Sequence, residues 1–267
     1  MRAIWSGALS FGLVNIPIKM YTASKDEGLD FDLLHKKDYS PIRYAKVCKT
    51  EEKEVPYNEL VKGYEYEKGD YVILQQDDFI KANVKKTKTI DVLEFVNEGE
   101  IDSVYYEKPY YLEPDKSAQK AYSLMIEALR KSKKVGIAKF VIRTRQRLGI
   151  IKPLDNVIVL NQMRFQSEIK DAKEIKAPNL EVSDKEIEMA LALINQLSGD
   201  FKPEEFHDTY TEDLKKLIDE KAKGEKITAK EETIQETSNV TDLMALLKKS
   251  LEQEKEKEEP KRIYNQT

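Results

Sequence analysis

Cysteine is almost absent from this chain: Cys48 is the only one in 267 residues. A single thiol closes no internal disulfide. With His35 and His207 as the only histidines, there is also no Cys/His cluster with the spacing of a zinc site. Both absences fit a reducing cytoplasm. Long hydrophobic runs are missing as well. The most apolar stretch is the opening MRAIWSGALSFGLVNIPIKMY, but Ser6, Ser10 and Asn15 interrupt it, Pro17 and Lys19 follow, and no cleavage box appears. It reads as folded chain and not as a secretory signal. Nowhere do about 18 apolar residues stand together, so no segment reads as a spanning helix and no membrane is expected as a partner. Enzyme signatures are missing too. There is no G-x-x-x-x-G-K-[ST] loop, no G-x-G-x-x-G after a strand and no G-x-S-x-G elbow, and no lysine sits in a recognisable nucleotidyl-transfer motif. His207 in FHDTY falls on an expected helix beside Asp208. No partner nucleophile can be named for it, so a packed, hydrogen-bonded histidine is the simpler reading, and His35 in LLHKK reads the same way. Neither a catalytic residue, a metal site nor a cofactor is expected.

A basic excess is also lacking: 45 Lys plus Arg face 49 Asp plus Glu, for a net charge of −4. The total conceals an uneven layout. Residues 1–115 hold 16 basic and 22 acidic side chains, and residues 153–267 hold 18 and 26. Between them, residues 116–152 hold 11 basic side chains and one acid, Glu127, for a net of +10. Read as one strand, Lys139 to Arg147 places Ala138, Phe140, Ile142 and Thr144 on one face. Lys139, Arg143, Arg145 and Arg147 then share the other, with same-side residues about 6.6 Å apart. Such a row suits a polyanion backbone carrying one charge per roughly 3.4 Å of each strand. An acidic protein partner and a plain solvated surface also fit, but the block holds almost no acids of its own, and arginine binds phosphate through a fork of donors. No helix-turn-helix, zinc finger or RNA-recognition signature offers base readout, so any nucleic-acid contacts should fall on phosphates and ignore sequence.

The hydrophobic pattern divides the chain. Residues 1 to about 112 read mainly as strands. Trp5, Leu9, Phe11 and Leu13 share one parity, with Gly7 and Gly12 permitting bends. IRYAKVC alternates from Ile42 to Cys48, YEYEKGDYVIL reads as a hairpin turning at Lys68-Gly69-Asp70, and TIDVLEFV and SVYYEKPYYL follow, the last bent or at an edge because of Pro109. Many strands without intervening helices imply an antiparallel sheet or barrel within a mixed α+β fold. Asp115 is positioned to cap a helix carrying Ala118, Tyr122, Met125 and Leu129. Later, Ser183 and Glu186 form an S-x-x-E capping signature ahead of Ile187, Leu191, Ile194 and Leu197, and Pro203 opens a helix through Phe206, Tyr210, Leu214, Leu217 and Ile218. The expected organisation is a core over 1–177, a helical arm over 178–223 and a polar tail over 224–267. In that tail, NVTDLMALLKKSLE (about 240–252) forms a short amphipathic helix with Leu243, Met244, Leu247 and Leu251 on its stripe. It either docks on a partner groove or folds back onto the core.

Several stretches together resemble the prokaryotic Ku proteins: RAIWSGALSFGLVNIPIKMY, LLHKKDYSPIRYAKVC, GYEYEKGDYVIL, IDSVYYEKPYYLEPD, KAYSLMIEALRKSKKVGIAKFVIRTRQRLGIIKP and FHDTYTEDLKKLID, in that order across most of residues 2–222. The resemblance implies a Ku-type β-barrel core with ring-forming strands, a helical arm and a flexible C-terminal helix. It further implies a homodimer whose ring threads double-stranded DNA ends in non-homologous end joining, without catalysis, and which recruits a multifunctional ATP-dependent DNA ligase. On that basis Lys131, Lys133, Lys134, Lys139, Arg143, Arg145 and Arg147 are the DNA-facing candidates, with Lys36, Lys37 and Arg43 secondary. Leu243, Met244, Leu247 and Leu251 are the ligase-facing ones. A cytoplasmic, nucleoid-associated location follows. Unlike relatives with a long Lys-rich tail, this chain ends in the nearly balanced EKEKEEPKRIYNQT, which leaves tail-dependent DNA contact without a basis here.

Overall fold

The computed structural model describes residues 1–25, 27–83, 88–143, 145–176, 178, 180–224, 247 and 250. The chain separates into two compact units, Met1–Glu174 and Ile175–Thr267.

The first unit is built on a closed barrel of strands ordered β1-β2-β6-β9-β8-β7-β5. β1 (Trp5–Phe11) and β2 (Val14–Thr22) form a hairpin in register Leu9 to Ile16. Gly12 supplies the turn's positive φ of 58°, and Leu13 stands wholly exposed at the tip instead of joining Trp5, Leu9 and Phe11. The chain then leaves the barrel for residues 23–88 and returns as β5 (Thr89–Asn97), which pairs with β1 in parallel. That one parallel pair departs from the all-antiparallel expectation, and it follows from the length of the excursion, since no hairpin turn joins β2 to β5. β6 (Tyr106–Pro114), β7 (Lys134–Ile142), β8 (Arg145–Leu154) and β9 (Val157–Met163) complete the closure with antiparallel ladders. Closure removes every edge, so Pro109 does not mark one. It lies just beyond Tyr110, where the β2 ladder ends, beside a bulge between Tyr106 and Lys108.

Alternation fills the barrel with Leu9, Ile16, Ile18, Met20, Ile90, Leu112, Ala138, Phe140, Ile151, Ile158 and Leu160, each 1% exposed or less. Gly149 lets the Phe140 ring cross β8, since a Cβ there would meet Phe140 at 3.0 Å and the Asn161 carbonyl at 2.9 Å. The helix α2 (Gln119–Ser132) closes one end of the barrel with Tyr122, Met125, Ile126 and Leu129. Tyr122 is its anchor: the hydroxyl donates to the Leu112 carbonyl at 2.5 Å and accepts from the Ile158 amide at 2.7 Å, joining β6 to β9. Asp115 does not cap α2 with its side chain. A 3-10 turn, Lys116–Ala118, intervenes, and the Ala118 amide bonds the Asp115 backbone carbonyl instead. Outside the barrel, Val135, Ile150 and Met163 form a second cluster, against which Ile101, Tyr105 and Tyr106 pack.

The excursion contains no buried residue among those described. Among its described residues the only ladder is the hairpin β3 (Lys62–Glu67) with β4 (Asp70–Leu74), where Gly69 takes φ 93° and donates its amide to Glu65 Oε1 at 2.9 Å. The helix α1 (Gln76–Asn83) follows. IRYAKVC is not a strand. Two isolated bridges flank it, Leu34 to Pro41 just before the run and Val47 to Glu54 at its end, each closed by the same kind of turn. In both turns the first residue's carbonyl accepts from the amide four residues on (His35 from Tyr39, 2.7 Å; Cys48 from Glu52, 2.9 Å). Its own amide donates five residues on (to Ser40 and Lys53, both 2.9 Å), and the fourth residue on has positive φ, 57° at Tyr39 and 56° at Glu52. The Cys48 amide is spent inside the second turn and the Ile42 amide on the Leu33 carbonyl, and among the described residues the run has no neighbouring strand to pair with, so its alternation yields no sheet.

In the second unit, α3 (Asp184–Leu197) begins with the expected capping box: the Ser183 amide donates to Glu186 Oε2 at 2.8 Å, and Ser183 Oγ accepts from the Glu186 amide at 3.4 Å. Pro203 opens only a 3-10 turn, Pro203–Glu205. The helix α4 (Thr209–Ala222) starts later, capped by Asp208 Oδ1 on the Thr211 amide at 3.0 Å, so Phe206 and His207 precede it and His207 is exposed. The competing cap wins because an aspartate side chain satisfies orphan amides that a proline leaves open. Of the tail helix, only Leu247 and Ser250 are described; Leu243, Met244 and Leu251 lie outside the described residues.

Candidate nucleic-acid interface

The cationic block does not form one strand. β7 stops at Ile142, Arg143 turns with φ 57°, and β8 begins at Arg145, making a tight hairpin with Ile142 opposite Arg145 and Phe140 opposite Arg147. Paired residues in an antiparallel ladder point to the same face. Arg145 and Arg147 therefore stand on the side of Phe140, toward the barrel interior, while Lys139 points outward across from Asp91 in the β5 ladder. The single-face row of Lys139, Arg143, Arg145 and Arg147 is thus overturned. Parity counting fails as soon as an unmarked turn reverses the chain, and Arg143-Thr144 carries no glycine, asparagine or proline to announce one.

The block instead splits into two groups. Lys131 lies in the last turn of α2, Lys133 makes its left-handed cap at φ 54°, and Lys134 starts β7 with its ammonium 3.3 Å from Asn97 Oδ1. Arg143 and Arg145 lie at the far end of β7, about 30 Å away at roughly 3.3 Å per residue, and Arg147, opposite Phe140, about 20 Å away. Of the secondary candidates, Lys36 and Lys37 are exposed in the first turn of the excursion. Arg43 is held in a fork by Glu54, at 2.9 and 2.7 Å, and so braces the two turns against each other.

The arginine group rims the barrel end opposite α2, the same end from which β2 sends out the excursion and to which β5 returns it. A cavity of about 630 Å³ opens there, lined by Ile4, Trp5, Thr22, Glu107, Lys108, Tyr110, Ile142, Arg143, Arg145, Arg147 and Gln162. Gln162 is a buried polar residue, accepting from the Tyr110 hydroxyl at 3.3 Å and donating to Glu107 Oε2 at 2.7 Å. Burial pushes the Tyr110 phenol up, Glu107 pushes it further, and Arg147 and Arg143 pull it back. Sequence reasoning missed Lys108, Tyr110 and Gln162. The available signal was Gln162 at the inward parity of Ile158 and Leu160, a polar group where the barrel demands an apolar one.

Elsewhere the polar groups are structural. Ser40's hydroxyl and amide, with His35 behind them, hold the Asp38 carboxyl below its usual range, and the amides of Glu51 and Thr50 lower the Cys48 thiol. Among the described residues, no group of three or more His, Cys, Asp or Glu side chains is placed to hold a metal ion, and no helix is long and apolar enough to cross a membrane.

Residues 10–189 match the model of the Ku70/Ku80 beta-barrel domain. The chain is 43% identical to a non-homologous end joining protein Ku of Opitutus terrae, over 95% of this chain and 92% of that protein. It is 39% identical to the Coxiella burnetii protein of the same name over 96% of both chains, and 36% identical to that of Bacillus subtilis over 94% and 82%. Among solved structures, the SPOC domain of human PHD-finger protein 3 aligns with 62% of this chain at 12% identity and a TM-score of 0.29, and nothing rests on it. Matched by the family model across its barrel and by these relatives over nearly its whole length, the chain belongs to the Ku family of non-homologous end joining proteins.

Proposed function

We propose that this chain is a non-catalytic, sequence-independent clamp for double-stranded DNA ends in the repair of breaks by non-homologous end joining. In this reading it works as a homodimer in the cytoplasm on nucleoid DNA and recruits and stimulates an ATP-dependent DNA ligase through the tail helix around Leu247. The observation that carries the reading is the excursion over 23–88. It exposes Phe31, Leu33, Leu34, Ile42, Tyr44 and Tyr64, each 48% exposed or more, on a segment with no buried residue of its own among those described. A single chain does not maintain that much bare apolar surface without a partner, and a second copy of the same arm is the symmetric partner that closes a ring. The arm is rooted beside Arg143, Arg145 and Arg147, so a ring closed by two arms has cationic groups at its base. Lys131, Lys133, Lys134, Lys139, Lys36 and Lys37 add phosphate contacts from the rest of the first unit. Arg43, committed to Glu54, contributes by shaping the arm.

Topological retention distinguishes this reading from ordinary phosphate attraction. In competition at matched salt, linear duplex should bind tightly and covalently closed circles hardly at all. Equal affinity for the two would remove the ring.

A further inference from the structure

The barrel mouth holds a charge that lacks its counter-ion. Arg147 is only partly exposed and, like Arg143 and Arg145, forms no ion pair or hydrogen bond among the described residues. The carboxylate in the lining, Glu107, is bound to Gln162, which is 5% exposed and bound in turn to Tyr110. Arg147 is partly shielded from water with no ion pair among the described residues, and its guanidinium fork is the geometry that receives a phosphate. The same cavity is also lined by Ile4 and Trp5, at the start of β1, three strands around the barrel from β8, an aromatic and aliphatic surface of the kind on which a base stacks. At about 630 Å³ the cavity falls in the range of small-ligand sites, which admits one nucleotide and no duplex.

We propose that the mouth of the barrel binds a nucleoside phosphate, with the phosphate on Arg145 and Arg147 and the base against Trp5. Two sources share this chemistry: a free nucleotide, and the unpaired terminal nucleotide of a DNA overhang. The overhang source rests on the end-clamp reading, whereas the free-nucleotide source does not.

Trp5 is the chain's only tryptophan, so its fluorescence reports on this site alone. The full chain is titrated with dATP, with deoxyadenosine, with inorganic tripolyphosphate, and with hairpin duplexes ending blunt or in a single-stranded overhang. Saturable quenching by dATP assigns the free nucleotide, and quenching by the overhang hairpin but not the blunt one assigns the DNA terminus. R147Q should weaken either response about tenfold or more, the loss of one charge-assisted phosphate contact. Should R147Q fail to fold, a rise in the wild-type unfolding temperature with dATP or the overhang hairpin, absent with deoxyadenosine, supplies the same support. The proposal falls if neither phosphate-bearing ligand quenches, if R147Q binds unchanged, or if tripolyphosphate binds as well as dATP. A gel shift with blunt duplex separates the two readings: its failure beside intact dATP quenching sinks the clamp and supports the pocket, and the reverse sinks the pocket alone.

Discussion

Replacing Arg143 and Arg145 with glutamate should lower the salt dependence of DNA binding by an amount fixed by the charges removed. Both side chains are exposed, and neither is paired within the described residues, so each is available to a phosphate. For duplex DNA the log–log slope changes by about 0.9 per phosphate neutralised. Six to ten contacts give a wild-type slope of about −5 to −9, and removing two contacts from each chain of a homodimer should reduce it by up to about 3.6. The remaining lysines, 131, 133 and 134, sit about 30 Å along β7, close to one turn of B-DNA at roughly 34–36 Å. They should therefore hold a residual, weaker slope and not lose all binding. Arg143 lies at φ 57°, a strain that glutamate inherits unchanged, and Arg145 is exposed, so the fold should survive. The assay is fluorescence anisotropy with a linear duplex between about 50 and 200 mM salt, with circular dichroism on the same samples. A slope within one of wild type, in a variant that remains folded, would refute the placement of the hairpin tip on DNA.

Tyr122→Phe deletes both hydrogen bonds of the hydroxyl of a residue only 4% exposed, leaving the Leu112 carbonyl and the Ile158 amide without it. Two such losses should cost about 2–4 kcal/mol in urea denaturation, and a change below 1 kcal/mol would mean that water reaches the site. The Ser183 hydroxyl and amide lower the Glu186 pKa, so the box stabilises α3 at pH above the ordinary glutamate value and is lost as pH falls through the depressed folded value. Far-ultraviolet circular dichroism should therefore show helix loss on acidification that a Glu186→Gln variant does not share. For the tail, Leu247→Asp should abolish stimulation of the ligase while leaving DNA end binding intact, as measured by nick-sealing and gel-shift assays on one preparation.

Much of the fold was legible because two periodicities and a few polar caps carry it. The shared parity of Trp5, Leu9 and Phe11 marks the first strand, although Leu13 leaves it for the turn, and the Ser183-Glu186 box and the Lys68-Gly69 turn announce themselves by residue type. What failed were positions where a rival local bond was equally available. Asp208 captured a helix start assigned to Pro203, and two tight turns, at 35–40 and 48–53, bracket the Ile42–Cys48 run that alternation had assigned to a strand. The amphipathic tail, apart from Leu247 and Ser250, stays outside the described residues.

By itself the sequence determined that cations concentrate between residues 116 and 152 and that the chain lacks the residues for a disulfide or a Cys/His zinc site, since both depend only on composition and order. Only the tertiary structure decided where those cations go. A reversal at Arg143 with no turn residue to mark it sends Lys139 outward and Arg145 and Arg147 to the barrel mouth, beside a buried Gln162 and the root of the arm. Which face a side chain takes is set by strand register, and register is settled by the closure of seven strands against one another, which no single segment contains.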